Sequence, residues 1–215
     1  MLLKNLVYAF SCVTMMMFAP SLIGAETLER PEWRVGETWS YSTRDARDPS
    51  ALRTSESKVL TKSTDGYELA SKSSRDGESV RRYNPAMNEL TKVAQTPERE
   101  RKFIDWPLTP GKTWTFEYYE ASRRFPGLIY HYTFNAKVVG PEAVSVPAGK
   151  FDAIKIDYEG RFTRSEGGSH AKVVQTSWWA PAAGRVVKTR YAETDFSYWP
   201  FSDITSELTA HTRPQ

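Results

Sequence analysis

Two stretches of the chain open with the same signature, Gly36-Glu37-Thr38-Trp39-Ser40-Tyr41 and Gly111-Lys112-Thr113-Trp114-Thr115-Phe116, and alternating apolar and polar residues follow each one. A glycine leading into a period-two pattern, with Trp and Tyr or Phe on one face, writes a half-buried β-strand. The chain therefore begins a sheet segment twice, in halves spanning roughly residues 30–93 and 103–212. Asp65-Gly66 and Asp76-Gly77 separate the short β-type runs Lys58 to Thr64, Tyr67 to Ser73 and Glu78 to Tyr83. Such dipeptides suit tight hairpin turns, so these runs pair antiparallel.

The second half repeats the plan. Trp114, Phe116 and Tyr118 share a face, and Leu128, Tyr130, Tyr132, Phe134, Ala136 and Val138 line one face of the next strand. Between Phe151 and Phe162, Ile154, Ile156, Tyr158 and Phe162 oppose Lys155, Asp157, Glu159 and Arg161. Further strands are expected at Ala171 to Trp179, Arg185 to Glu193 and Ile204 to Thr212. Arg44 to Ser50, with Pro49, reads as a loop, and the charged stretch Ala94 to Lys102, with Pro97, as a connector or one helical turn. About ten strands and no long helix predict an all-β, mainly antiparallel fold, a meander that curls into an open or closed barrel. A lone sheet leaves its aromatic face uncovered, and aromatic residues make up 13% of the chain.

Lys4 followed by an uncharged run from Asn5 to Ala25 reads as a secretory signal peptide cleaved near Ala25, leaving a single domain over residues 26–215. An uncleaved anchor and a lipid-modified Cys12 are the competing readings. Cys12 is the sole cysteine, so the mature chain forms no disulfide and no thiolate metal site. A bacterial periplasm suits such a chain. The net charge of +3 and the scattered basic pairs Arg81-Arg82 and Arg123-Arg124 argue against a nucleic-acid partner.

The elements Gly-Glu-Thr-Trp39, Pro107-Leu-Thr-Pro-Gly-Lys-Thr-Trp114, Val146-Pro-Ala-Gly-Lys-Phe-Asp-Ala-Ile-Lys-Ile156 and Trp178-Trp-Ala-Pro-Ala-Ala-Gly-Arg-Val-Val-Lys188 resemble those of bacterial exported proteins grouped as domain of unknown function 3108, including its TapB-like members. The resemblance spans most of the mature chain. It implies a β-rich extracytoplasmic domain and brings no catalytic residues with it.

No set of residues announces chemistry. His131, His170 and His211 lie far apart and read as surface histidines, so no metal or cofactor is expected. Asp157 and Glu159 share a strand face, but Lys155 and Arg161 flank them as on a solvated surface, and no Gly-x-Ser-x-Gly elbow exists. The most unusual local feature is the loop from Asp195 to Phe201, where Phe196, Tyr198, Trp199 and Phe201 crowd together around Pro200. It reads either as a plug over an open barrel end or as an apolar patch that docks a lipid, a membrane surface or a partner. Trp178 and Trp179 point to opposite sides of their strand, one into the core and the other partly exposed. The chain is thus expected to be a non-enzymatic binding or carrier module for a lipid-like ligand or a hydrophobic protein segment. The alternatives are a structural or assembly protein of the cell envelope and, ranked behind it, a glycan hydrolase or lyase using Asp157 and Glu159.

Overall fold

The structure is a computed structural model that describes residues 27–94, 96–122, 125–165, 170–194 and 200–215, with the side chains at 49, 170, 200 and 201 outside that description. Twelve strands form one antiparallel sheet: β1 Thr38–Asp45, β2 Asp48–Ser63, β3 Gly66–Ser73, β4 Gly77–Tyr83, β5 Glu89–Thr91, β6 Arg99–Arg101, β7 Thr113–Ala121, β8 Ile129–Val146, β9 Gly149–Arg164, β10 His170–Ala180, β11 Arg185–Thr194 and β12 Pro200–Thr212. In space they run β6-β5-β4-β3-β2-β1-β12-β11-β10-β9-β8-β7. The pairing of β1 with β12 joins the beginning of the chain to its end. The two sheet edges, β6 and β7, are thereby neighbours in sequence.

Those edges also meet in space. Arg99 pairs with Glu117, and Arg101 with Glu120 at 3.1 Å, so the sheet curls into a nearly closed barrel whose seam is held by side chains. The alternation read from the sequence settles which face turns inward. Phe134 and Ala136 on β8, with Ile156 and Tyr158 on β9, are buried, whereas Asn135, Lys137 and Glu159 face water.

Gly160 continues the inner row of β9 opposite Phe134. A Cβ there would come within 2.5 Å of both Phe134 Cδ1 and the Thr133 carbonyl oxygen, so only a glycine lets the ring lie against the strand.

Two clusters fill the interior. One gathers Trp114, Phe116, Tyr118, Tyr132, Phe134, Ile156 and Tyr158, and the other gathers Trp33, Trp39, Tyr67, Leu69, Val187 and Leu208. The segment 102–112 crosses between them. Phe103 packs edge-on to Phe116 and Tyr158, and the Tyr158 hydroxyl donates to the Phe103 carbonyl at 2.6 Å. Asn88, 2% exposed, clamps Ile104 by accepting from its N–H at 3.1 Å and donating to its carbonyl at 2.8 Å. Trp106 stands edge-on to Trp179 at 5.0 Å and packs against both clusters.

Several boundaries differ from those expected. Arg44 to Ser50 is no loop: Asp45 pairs with Asp48 across a two-residue turn. Pro49 is tolerated because β2 does not pair with β3 until Ser55, so a missing N–H there breaks no bond on that side. The connector Ala94 to Lys102 contains β6, and β5 precedes it. These three-residue strands bring the count to twelve; they are too short to show a period. β12 begins at Pro200, four residues before the expected start.

Candidate functional site at the tyrosine end

Because neighbouring strands are antiparallel, the last residues of β7, β9 and β11 lie at the same end of the barrel as the first residues of β8, β10 and β12, while the β8–β9 and β10–β11 turns lie at the other. The two ends are built from different chemistry.

At the β10–β11 end, Trp33 and Trp39 close the interior. Their indole N–H groups donate to the carbonyls of Gly184 and Ala183, each at 2.7 Å, and Tyr67 and Tyr83 stand edge-on to Trp33. Glu37 is fully buried, accepting from the Arg34 N–H at 3.0 Å and pairing with His211 at 2.8 Å and Arg213 at 3.3 Å. His211 also stacks on Trp39, so it is no surface histidine: it fastens the last strand to the first. His131 is likewise engaged, stacked on Tyr119 at 4.7 Å and paired with Glu117 at 3.0 Å.

At the opposite end the wall is tyrosine. Tyr118 and Tyr132 stack at 4.9 Å, and Phe162 lies 5.2 Å from both Tyr130 and Tyr132. Tyr130 and Tyr191 are half-buried at the margin of this cluster. Burial pushes the Tyr132 and Tyr191 phenols far above their ordinary range, with nearby Glu193 adding to both shifts, so they remain hydrogen-bond donors. The Tyr191 hydroxyl donates to Glu193. Burial raises the Glu193 carboxyl above its ordinary value and neighbouring Glu120 raises it further, against the lowering effect of the Tyr191 bond. The Arg101 guanidinium lies 4.2 Å from the Tyr118 ring centre and pairs with Glu120 at 3.1 Å and Glu89 at 3.7 Å, while its buried Nε has no hydrogen-bond partner.

Facing this aromatic wall, the inner surface carries hydroxyls. Thr43 donates to Ser206 at 3.0 Å, and Ser71, Ser177 and Ser202 are buried. The interior is therefore aromatic along β7–β9, with a few hydroxyls set among the apolar residues of β10, β12, β1 and β3. The raised phenols stay protonated and can donate hydrogen bonds. Among the described residues, no group of three or more His, Cys, Asp or Glu side chains is placed to hold a metal ion.

Of the residues singled out in the sequence, Trp179 is buried beside Trp106, and Trp178 lies on the outer face with its indole N–H donating to Glu142 at 2.8 Å. They point opposite ways, as alternation requires. Phe196, Tyr198 and Trp199 lie outside the described residues, as does the signal segment 1–25; Phe201 belongs to β12, with its side chain outside the description. Asp157 accepts from the Thr176 hydroxyl at 2.8 Å on the outer face. The sequence reading missed Tyr191, Glu193 and Arg101. Counting on by twos from Val187 places Tyr191 and Glu193 on the inner face, a signal that was legible. Arg101 sits in a strand too short to carry one.

A curled antiparallel sheet with a strapped interior and one amphipathic end defines the class of protein. A solved structure of an inferred lipoprotein from Parabacteroides distasonis ATCC 8503 shares the fold, with a TM-score of 0.56 and 12% identity over 87% of this chain and 100% of that one. A second, an inferred exported protein with YmcC-like fold from Bacteroides fragilis NCTC 9343, aligns with a TM-score of 0.48 and 14% identity over the same shares. Neither a protein-family model nor a curated protein matches the chain, so the likeness to the domain of unknown function 3108 group rests on the motifs alone.

Proposed function

We propose that the chain is an exported, non-catalytic binding module of the bacterial envelope that takes a lipid-like ligand, or the hydrophobic segment of another protein, at its tyrosine end. One observation carries this reading: the barrel is stoppered at the tryptophan end with the Trp33 and Trp39 indole N–H groups capped, whereas the tyrosine end sets half-exposed rings beside a carboxylate and hydroxyls. Ligand sites combine apolar walls with a few placed polar groups in this way. The secretory character of residues 1–25 and the lipoprotein description of the similar Parabacteroides structure support export to the periplasm.

The test is a native mass spectrum of protein purified without detergent, together with thermal melts in the presence of fatty acids and phospholipids. A bound ligand, or a melting point that rises with lipid and fails to rise in Tyr130→Ser, is the expected outcome. The reading falls if neither is observed.

A second reading, an assembly partner, is favoured by the sheet edge. β7 is nine residues long, and the edge facing it, β6, is three. An extended segment of an envelope protein would add a strand there, seen as slowed amide exchange along β7.

A further inference from the structure

The outer face of the barrel is not uniform. Across β8–β12 its charges are zipped into cross-strand pairs: Lys155 with Glu142 at 3.2 Å, Lys188 with Glu207 at 2.8 Å and Arg190 with Asp203 at 3.7 Å. Across β7–β10 two clefts of about 730 and 640 Å³ share Thr115, Asn135 and Glu159, and so form one elongated groove. Each falls within the roughly 300–1,000 Å³ typical of ligand sites. Glu117 and Asp157 in its lining are engaged, by Arg99 and His131 and by Thr176 respectively, but other polar side chains there are unspent. Among the described residues, those of Thr115, Thr133, Asn135, Glu159, Arg161 and Lys172 all line the groove, yet none forms a hydrogen bond or ion pair. Arg161 and Lys172 stand directly opposite each other on β9 and β10. Like charges facing across a sheet destabilise it, and an anion between them would offset that cost.

We propose that this groove is a binding site for an acidic oligosaccharide. Its carboxylate lies between Arg161 and Lys172, and its hydroxyl groups bond along Thr115, Asn135 and Glu159. The chemistry matches at both ends of the groove. A guanidinium and an ammonium recognise a carboxylate, and a row alternating hydroxyl, amide and carboxylate groups both donates to and accepts from sugar hydroxyls. The elongated shape and the two chemically distinct stretches select an oligomer over a single sugar. The site is on the opposite side of the sheet from the interior ligand and does not depend on it.

The experiment is a calorimetric titration of the mature chain with a hyaluronan hexasaccharide, the same hexasaccharide methyl-esterified at its carboxylates, and inorganic phosphate. Binding of the acidic hexasaccharide, weakened about tenfold by esterification and by Arg161→Ala or Lys172→Ala, and unchanged in Lys188→Ala, is expected. The free variants should melt no lower than the parent, because each removes a like-charge contact from an exposed position. The proposal is overturned if the acidic hexasaccharide does not bind, if its ester binds equally well, if phosphate alone competes fully at equal concentration, or if Lys188→Ala loses as much affinity as Arg161→Ala.

Discussion

The two ends of the barrel use aromatic rings for opposite purposes. At the tryptophan end the indole N–H groups find backbone acceptors, Gly184 for Trp33 and Ala183 for Trp39, and the half-buried Tyr41 phenol, raised to about 12 by desolvation, donates to the Val186 carbonyl at 2.8 Å. Rings whose polar atoms are satisfied by main chain contribute burial without a desolvation cost, and they fix the chain ends through Glu37 and His211. At the tyrosine end the rings are arranged around side-chain charges, Arg101, Glu120 and Glu193, one of which is a carboxylate that burial disfavours. One end is fastened through main-chain acceptors, and at the other burial works against a carboxylate.

The contrast is tested most strongly by truncation. Trp39→Ala removes a fully buried ring and orphans the Ala183 carbonyl, and should cost about 3–5 kcal/mol in urea unfolding. Tyr130→Ala, at the half-exposed margin, should cost about 1–2 kcal/mol. Equal losses would erase the distinction between the tryptophan end and the tyrosine end.

Gly160→Ala asks how tightly the wall between the ends is packed. Its new methyl meets the Thr133 carbonyl oxygen, which belongs to the neighbouring strand and cannot swing aside, as well as the Phe134 ring. A loss of about 1–3 kcal/mol is expected, read as a lower melting point. A neutral result would mean that the aromatic wall yields easily, and a yielding wall is not a scaffold for a placed site. Arg101→Met should cost less, about 1–2 kcal/mol, because Arg101 and its partners retain partial exposure and solvent takes over part of the charge. It should also lower the salt dependence of stability, since one of the two ion pairs between β6 and β7 is then gone.

Most of the fold was legible because its strands alternate cleanly: the inner row Ile154, Ile156, Tyr158 and Phe162 is buried as the pattern demands. The strap was not. Phe103, Ile104, Trp106 and Leu108 follow no strand period, and what buries them is the side-chain clamp of Asn88 and the packing of Trp106 between the two clusters, contacts that no local pattern encodes. The seam was hidden for a related reason, since β6 is three residues long and acquires its place only when the sheet curls. Of the candidate site, the sequence showed that Trp178 and Trp179 part company. The tyrosine end emerged only from the folded sheet, where Tyr118, Tyr132 and Phe162 come together from β7, β8 and β9.

The smallest expected effect is also the most specific. Burial raises the Glu193 carboxyl in the folded protein above its ordinary value of 4.5. A carboxyl so raised holds its proton more firmly when folded, so its effect is absent once the pH is below the unfolded value. As the pH climbs through the folded value, the ionised group then subtracts from stability. Glu193→Gln keeps an acceptor for the Tyr191 hydroxyl and removes the charge. The variant should match the parent in melts at about pH 4 and exceed it at about pH 7. The same replacement at Glu207, a half-exposed carboxylate paired with Lys188 on the outer face, should give no such rise. If Glu193→Gln were less stable than the parent at neutral pH, the carboxylate would be a satisfied structural group, and the tyrosine end would hold nothing in reserve.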